Sequence, residues 1–190
     1  MKMFRISVGG VQLGISFSFP AVIALVLLTG CDEGSLLTAL LCCCLHEGGH
    51  LFFMLIFGRR PEAVTLYGGG IRITPQKGRI DSFGKDLAIL LAGCGVNFLL
   101  AWAWLLTHGM TSFVQINLLL GAFNLLPFRY FDGGRALELL TDGKGLRAVR
   151  FTFIILTAML IIIMAMRGSV SISLLITFAF ALAAETADNT

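Results

Sequence analysis

Residues 35–57 read SLLTALLCCCLHEGGHLFFMLIF, an apolar run interrupted by His46, Glu47 and His50. The run is long enough to span a bilayer, which takes roughly 17–25 residues. An ionisable side chain at mid-bilayer costs about 2.5–3.5 kcal/mol on insertion scales, and such residues are functional by default. A polar cluster that merely glues helices together is the bland explanation. It does not account for three such residues inside the five-residue stretch HEGGH. On a helix, positions i and i+4 share a face, so two imidazole nitrogens can meet one metal ion. Glu47 lies one residue along, able to address a water on that ion without being a ligand.

The rest of the chain agrees with an apolar solvent. Of its 190 residues, 57% are hydrophobic and 13% are charged, about half the charged share of a soluble domain. We read an α-helical polytopic membrane protein with six transmembrane helices, at 11–29, 35–57, 86–107, 112–128, 149–166 and 168–184. The whole chain, 1–190, reads as a single domain: a core over 10–140 carries the motifs and 149–184 supplies two further helices. No cleaved signal peptide is expected, so residue 11 onward is read as a retained helix.

Charge placement sets the expected orientation. All but Arg167 of the 14 lysines and arginines fall before the first span, between the second and third, or between the fourth and fifth. Positive charge stays cytoplasmic. The expectation is a multi-pass protein of the cell membrane with cytosolic N- and C-termini, and the acidic Asp32-Glu33 loop on the far side agrees.

Within the loop at 61–75, Val64/Leu66 and Ile71/Ile73 alternate around Gly68-Gly69-Gly70. This reads as two short strands about a glycine turn. The five cysteines, Cys31, Cys42, Cys43, Cys44 and Cys94, are odd in number and mostly inside apolar runs, which argues against a disulfide framework. Trp102 and Trp104 read as interface anchors, and His108 as an interfacial residue at the far end of its span.

Two histidines leave a catalytic zinc short of its usual three protein ligands. The best third candidate is Asp132, in Asn124-Leu-Leu-Pro-Phe-Arg-Tyr-Phe-Asp132-Gly-Gly. Pro127 breaks the helix there, and Gly133 and Gly134 permit a sharp turn. In isolation Asp-Gly-Gly reads as an ordinary turn; beside an HExxH inside a membrane span, the ligand reading is preferred.

HEGGH in the second span followed by NLLPFRYFDGG resembles the site-2 protease family of intramembrane zinc metalloproteases, whose pattern is HExxH followed by NxxPxxxxDG. Asn124, Pro127, Asp132 and Gly133 match at that spacing, with Phe131 where the family usually has leucine. Ala92-Gly93-Cys94-Gly95-Val96-Asn97 is similar to the family's AGPxxN segment, with Cys94 in place of proline. The likeness covers residues 10 to about 140. It implies one Zn²⁺ per chain held by His46, His50 and Asp132, with Glu47 as general base and acid. It implies a membrane-associated β-hairpin at 63–74 whose Gly68, Gly69, Gly70 and Ile71 receive an extended substrate as an added strand. Asn124 and Asn97 would hold the substrate backbone.

The activity so implied is hydrolysis of a peptide bond in or near a transmembrane segment, with release of a cytosolic fragment. The implied partners are a membrane-protein substrate, such as a membrane-tethered transcription factor or its regulator, a membrane regulatory partner, and the lipid bilayer, with no direct nucleic-acid contact. No loop is long enough for the inserted or C-terminal regulatory domains of larger members, so the chain resembles the minimal core, closest to sporulation-type members. The rival reading is a non-proteolytic membrane metal transporter or metal-binding subunit using the same three ligands. Transporters tend to show internal repeats and several metal sites, and neither is visible here. A pseudoprotease is disfavoured by the intact Glu47.

Overall fold

Phe4, Ile6 and Val8 alternate with polar neighbours, Gly9-Gly10 follows, and Val11, Leu13 and Ile15 alternate again. That is the pattern of a two-residue β-hairpin, in which both turn residues take positive φ. In the structure, a computed structural model, Gly9 and Gly10 have φ of 59° and 86°. They join strands β1 (Met3–Val8) and β2 (Val11–Ser16). The structure describes residues 3–28, 30, 32–67, 70–75, 82–128 and 131–166. The chain divides into two compact units, Met1–Phe123 and Asn124–Thr190, taken here in turn.

The hairpin corrects the sequence reading of 11–29 as one helical span. Residues 11–16 are strand, and only Ser18–Leu28 forms helix α1. At 1.5 Å per residue that helix is about 17 Å long, against a hydrocarbon core of about 30 Å. Period-two alternation and the Gly-Gly turn outweigh total hydrophobicity here. The hairpin expected over 61–75 is present as β3 (Pro61–Tyr67) and β4 (Gly70–Pro75). The four strands form one sheet in the order β1-β2-β3-β4, antiparallel except for the parallel β2–β3 pair. Phe4 pairs with Ile15 and Ile6 with Leu13, and all four are exposed, whereas Gly14 and Ser16 are buried. The sheet turns apolar side chains outward, the reverse of a soluble protein.

Helix α2 (Glu33–Ile56) repeats that inversion. It buries Cys42, His46, Gly49, His50 and Met54, while Leu37, Leu41, Phe52, Leu55 and Ile56 are exposed. Its N-terminus is capped by Asp32, whose carboxylate accepts from the Ser35 backbone N–H at 2.8 Å. Hydrogen bonding from Ser35 holds the Asp32 carboxyl below its ordinary range. Helix α3 (Phe83–His108) runs antiparallel to α2, and an ion pair between Arg59 and Asp86 ties the end of one to the start of the other. The two helices approach closely because Gly49 faces α3: a Cβ there would lie 2.9 Å from the Ala92 carbonyl oxygen and from Val96 Cγ2. Small residues at such contacts let helix backbones meet where lipid offers no hydrophobic drive. Helix α4 (Ser112–Asn124) stops short of the expected 128, ahead of Pro127, which cannot donate and restricts the residue before it.

In the second unit, α5 (Asp132–Thr141) is a short helix inside what the sequence reading left as a loop. Asp142, Gly143 and Gly145 have positive φ and separate it from α6 (Leu146–Met166). Three helices among the described residues are long and apolar enough to cross a membrane: Glu33–Ile56, Phe83–His108 and Leu146–Ile163. Expected spans two, three and five correspond to them. The first and fourth are shorter apolar helices, and the sixth, 168–184, lies outside the described residues.

Candidate metal centre

His46 and His50 stand one turn apart on α2, both buried. They lie ten and six residues before the helix ends at Ile56, about 9–15 Å along the axis. Their rings meet edge to face with centroids 4.8 Å apart, and their Nε2 atoms are 3.2 Å apart.

The opposite ring nitrogens are held by α3. His50 Nδ1 is 2.7 Å from the Ile89 carbonyl oxygen. A backbone carbonyl only accepts, so His50 carries its proton on Nδ1. His46 Nδ1 is 2.5 Å from Asn97 Oδ1, an acceptor, so His46 is protonated on Nδ1 as well. Both rings therefore turn Nε2 toward the same point, where the two atoms can share a proton or a cation. Outer hydrogen bonds of this kind fix the tautomer and orientation of metal-binding histidines.

Space is reserved at that point. A Cβ on Gly93 of α3 would collide with His50 Nε2 and lie 2.7 Å from His46 Nε2. Glycine there leaves the two nitrogens accessible. Asp132 begins α5 and is buried. The turn before it is tight, since a Cβ on Gly133 would run into the Leu125 backbone; Pro127 and Phe128 are buried. His46 and His50 offer two imidazole nitrogens in the first unit and Asp132 a carboxylate in the second; two imidazoles and a carboxylate are an N₂O donor set suited to zinc. Glu47 is half-buried beside His46.

The remaining candidates are placed as follows. Asn97 is completely buried, its Oδ1 on His46 and its Nδ2 donating to Asn117 Oδ1 at 2.7 Å. Asn124 closes α4 and is half-buried. Gly70 and Ile71 open strand β4, at one edge of the sheet; Gly68 and Gly69 lie outside the described residues. Cys42, Cys43 and Cys44 are free thiols.

Sequence reasoning missed Ile89, Gly93 and Asn117. The Ile89 contribution is a backbone carbonyl and leaves no sequence signal. Gly93 and Asn117 leave weak ones, a glycine in the Ala92–Asn97 segment and an amide inside an apolar helix.

No family model matches this chain, and no curated protein matches it. Among solved structures it is similar to a site-2 protease from Methanocaldococcus jannaschii, with a TM-score of 0.64 and 23% identity over 97% of this chain and 94% of that one. The chain shares the fold of that protein.

Proposed function

We propose that this chain is an intramembrane zinc metalloprotease of the site-2 type. The reading rests on one observation: two buried imidazoles, with Nε2 atoms 3.2 Å apart and both rings held by α3. HExxH, the NxxPxxxxDG match and the shared fold support it.

His46, His50 and Asp132 would hold the zinc. When bound, zinc supplies a Lewis acid for the scissile carbonyl and a water whose pKa falls toward about 7. Glu47 would serve as general base and then general acid, taking a proton from the attacking water and passing it to the departing amine. Hydrolysis thus has its water and its proton carrier in a helix otherwise facing lipid. A helical substrate keeps its carbonyls in hydrogen bonds, so it must unwind, and helix-weakening residues in its span lower that cost. The edge strand β4, with Gly70 and Ile71, offers main-chain groups to which an extended segment can add, and Asn124 would steady that segment. Asn97 we assign to His46, whose ring it orients. The substrate class is a membrane-tethered protein, and the basic loops imply a site nearer the cytosolic side and release of a cytosolic fragment.

Purified full-length chain in detergent would be incubated with single-span reporters carrying glycine and asparagine in the span. The wild type should cut, and Glu47→Gln should lose at least about a hundredfold in rate while binding zinc as the wild type does. Cleavage at wild-type rate by Glu47→Gln, or none by a zinc-loaded wild type across the reporter set, would overturn the reading.

A further inference from the structure

Three helices contribute to a polar chain inside the first unit. His46 (α2) donates from Nδ1 to Asn97 Oδ1 (α3), and Asn97 Nδ2 donates to Asn117 Oδ1 (α4). Asn117 Nδ2 donates to the Phe113 carbonyl oxygen at 2.8 Å and to Cys42 Sγ at 3.0 Å. Cys42 stands one turn before His46 on α2. Cys42, Asn97 and Asn117 are each 0% exposed.

An amide has two ends, and in isolation nothing says which faces which partner. Here the far end settles it. The Phe113 carbonyl only accepts, so Asn117 must turn its NH₂ toward it and its oxygen toward Asn97. Asn97 must then present its NH₂ to Asn117 and its oxygen to His46. His46 in turn must carry its proton on Nδ1. With Asn97 reversed, its NH₂ would face Nδ1, and His46 would move its proton to Nε2. That nitrogen would then have no lone pair for a metal.

We propose that Asn117 is a positioning residue: through Asn97 it selects the metal-binding tautomer of His46, so that three helices, not one, define the ligand. The Cys42, Asn97 and Asn117 side chains do not meet solvent, and a buried amide left without its partners is costly. The two histidines are thus oriented differently: His50 directly by the Ile89 carbonyl, His46 at two removes from the Phe113 carbonyl. The relevance to a metal rests on the function proposed above; the tautomer itself does not.

The test is ¹⁵N NMR of the full-length, metal-free chain with labelled histidine in detergent micelles, His46 being assigned by its loss in His46→Ala, together with zinc titration. Wild type should show His46 protonated on Nδ1; protonation on Nε2 overturns the proposal whatever any variant does. Asn117→Leu removes the acceptor for Asn97 and should shift His46 toward the Nε2-protonated form. Its zinc affinity should fall about ten- to a hundredfold, the range for lost outer hydrogen bonds. Asn117→Asp keeps an oxygen toward Asn97 Nδ2 in either protonation state. It should retain the wild-type tautomer, and its zinc affinity should stay close to wild type. A folded Asn117→Leu with unchanged tautomer and affinity contradicts the proposal. So does loss of the tautomer in a folded Asn117→Asp, which also decides the matter if the leucine variant does not fold. A wild type that takes up no zinc but keeps the Nδ1 tautomer, with the leucine variant shifting it, would sink the metal reading and leave the relay standing.

Discussion

At the scale of single residues, the centre depends on what is missing as much as on what is present. Gly93 has no side chain where the two Nε2 atoms converge, and a methyl group there would collide with His50 Nε2. Gly93→Ala should therefore weaken zinc binding about ten- to a hundredfold, with the overpacking itself costing about 1–3 kcal/mol of stability. Zinc titration and thermal unfolding in detergent would check both, and wild-type affinity in a folded Gly93→Ala would contradict the site geometry. HExxH made His46, Glu47 and His50 legible from the sequence because the i, i+4 spacing is local. Orientation was not legible. Whether an imidazole presents Nε2 or Nδ1 is set by Ile89 and Asn97, some forty to fifty residues away in sequence. Asn97 itself was singled out as a substrate-binding candidate. Complete burial, with its oxygen on His46 and its NH₂ on Asn117, points to ring positioning instead.

At the scale of elements, the two middle glycines of HEGGH have different surroundings. Gly48 has open space around it, whereas Gly49 faces the Ala92 carbonyl and Val96 at van der Waals limits. Gly48→Ala should leave thermal stability in detergent unchanged or raised, as expected for alanine in a helix interior. Gly49→Ala should lower stability by about 1–3 kcal/mol, because α2 and α3 must part to admit the methyl. Equal effects at the two positions would contradict the close α2–α3 packing. Helices of bilayer length were the easiest elements to read: α2, α3 and α6 all follow from apolar length. The first span was misread because 11–16 is as hydrophobic as a helix and only its period-two pattern reveals a strand. The Gly9-Gly10 turn carried the same message. Helix α5 was missed because Gly133 and Gly134, read as a turn, lie in its first turn, and a ten-residue amphipathic segment looks like loop when judged by hydrophobicity alone.

At the scale of the whole molecule, polarity is inverted. Many leucines, phenylalanines and isoleucines are exposed on helices and sheet alike, while His46, His50, Asn97, Asn117 and Asp132 are buried. In water this arrangement would collapse; in lipid it places apolar surface against acyl chains and lets buried polar groups satisfy one another. Composition made the apolar solvent legible, and paired motifs singled out Asp132 as a candidate third ligand across a long sequence separation. The sheet's parallel β2–β3 pairing was not, because strands so far apart in the chain carry no mutual signal.

The proposed three-ligand zinc site of His46, His50 and Asp132 is tested most directly by the metal content of detergent-purified full-length protein, wild type against Asp132→Ala, with retained helical signal as the control for folding. About one zinc per chain is expected in the wild type, as for a catalytic site with three protein ligands, and loss or marked weakening in Asp132→Ala. A folded wild type without zinc, or zinc binding indifferent to Asp132→Ala, would contradict it.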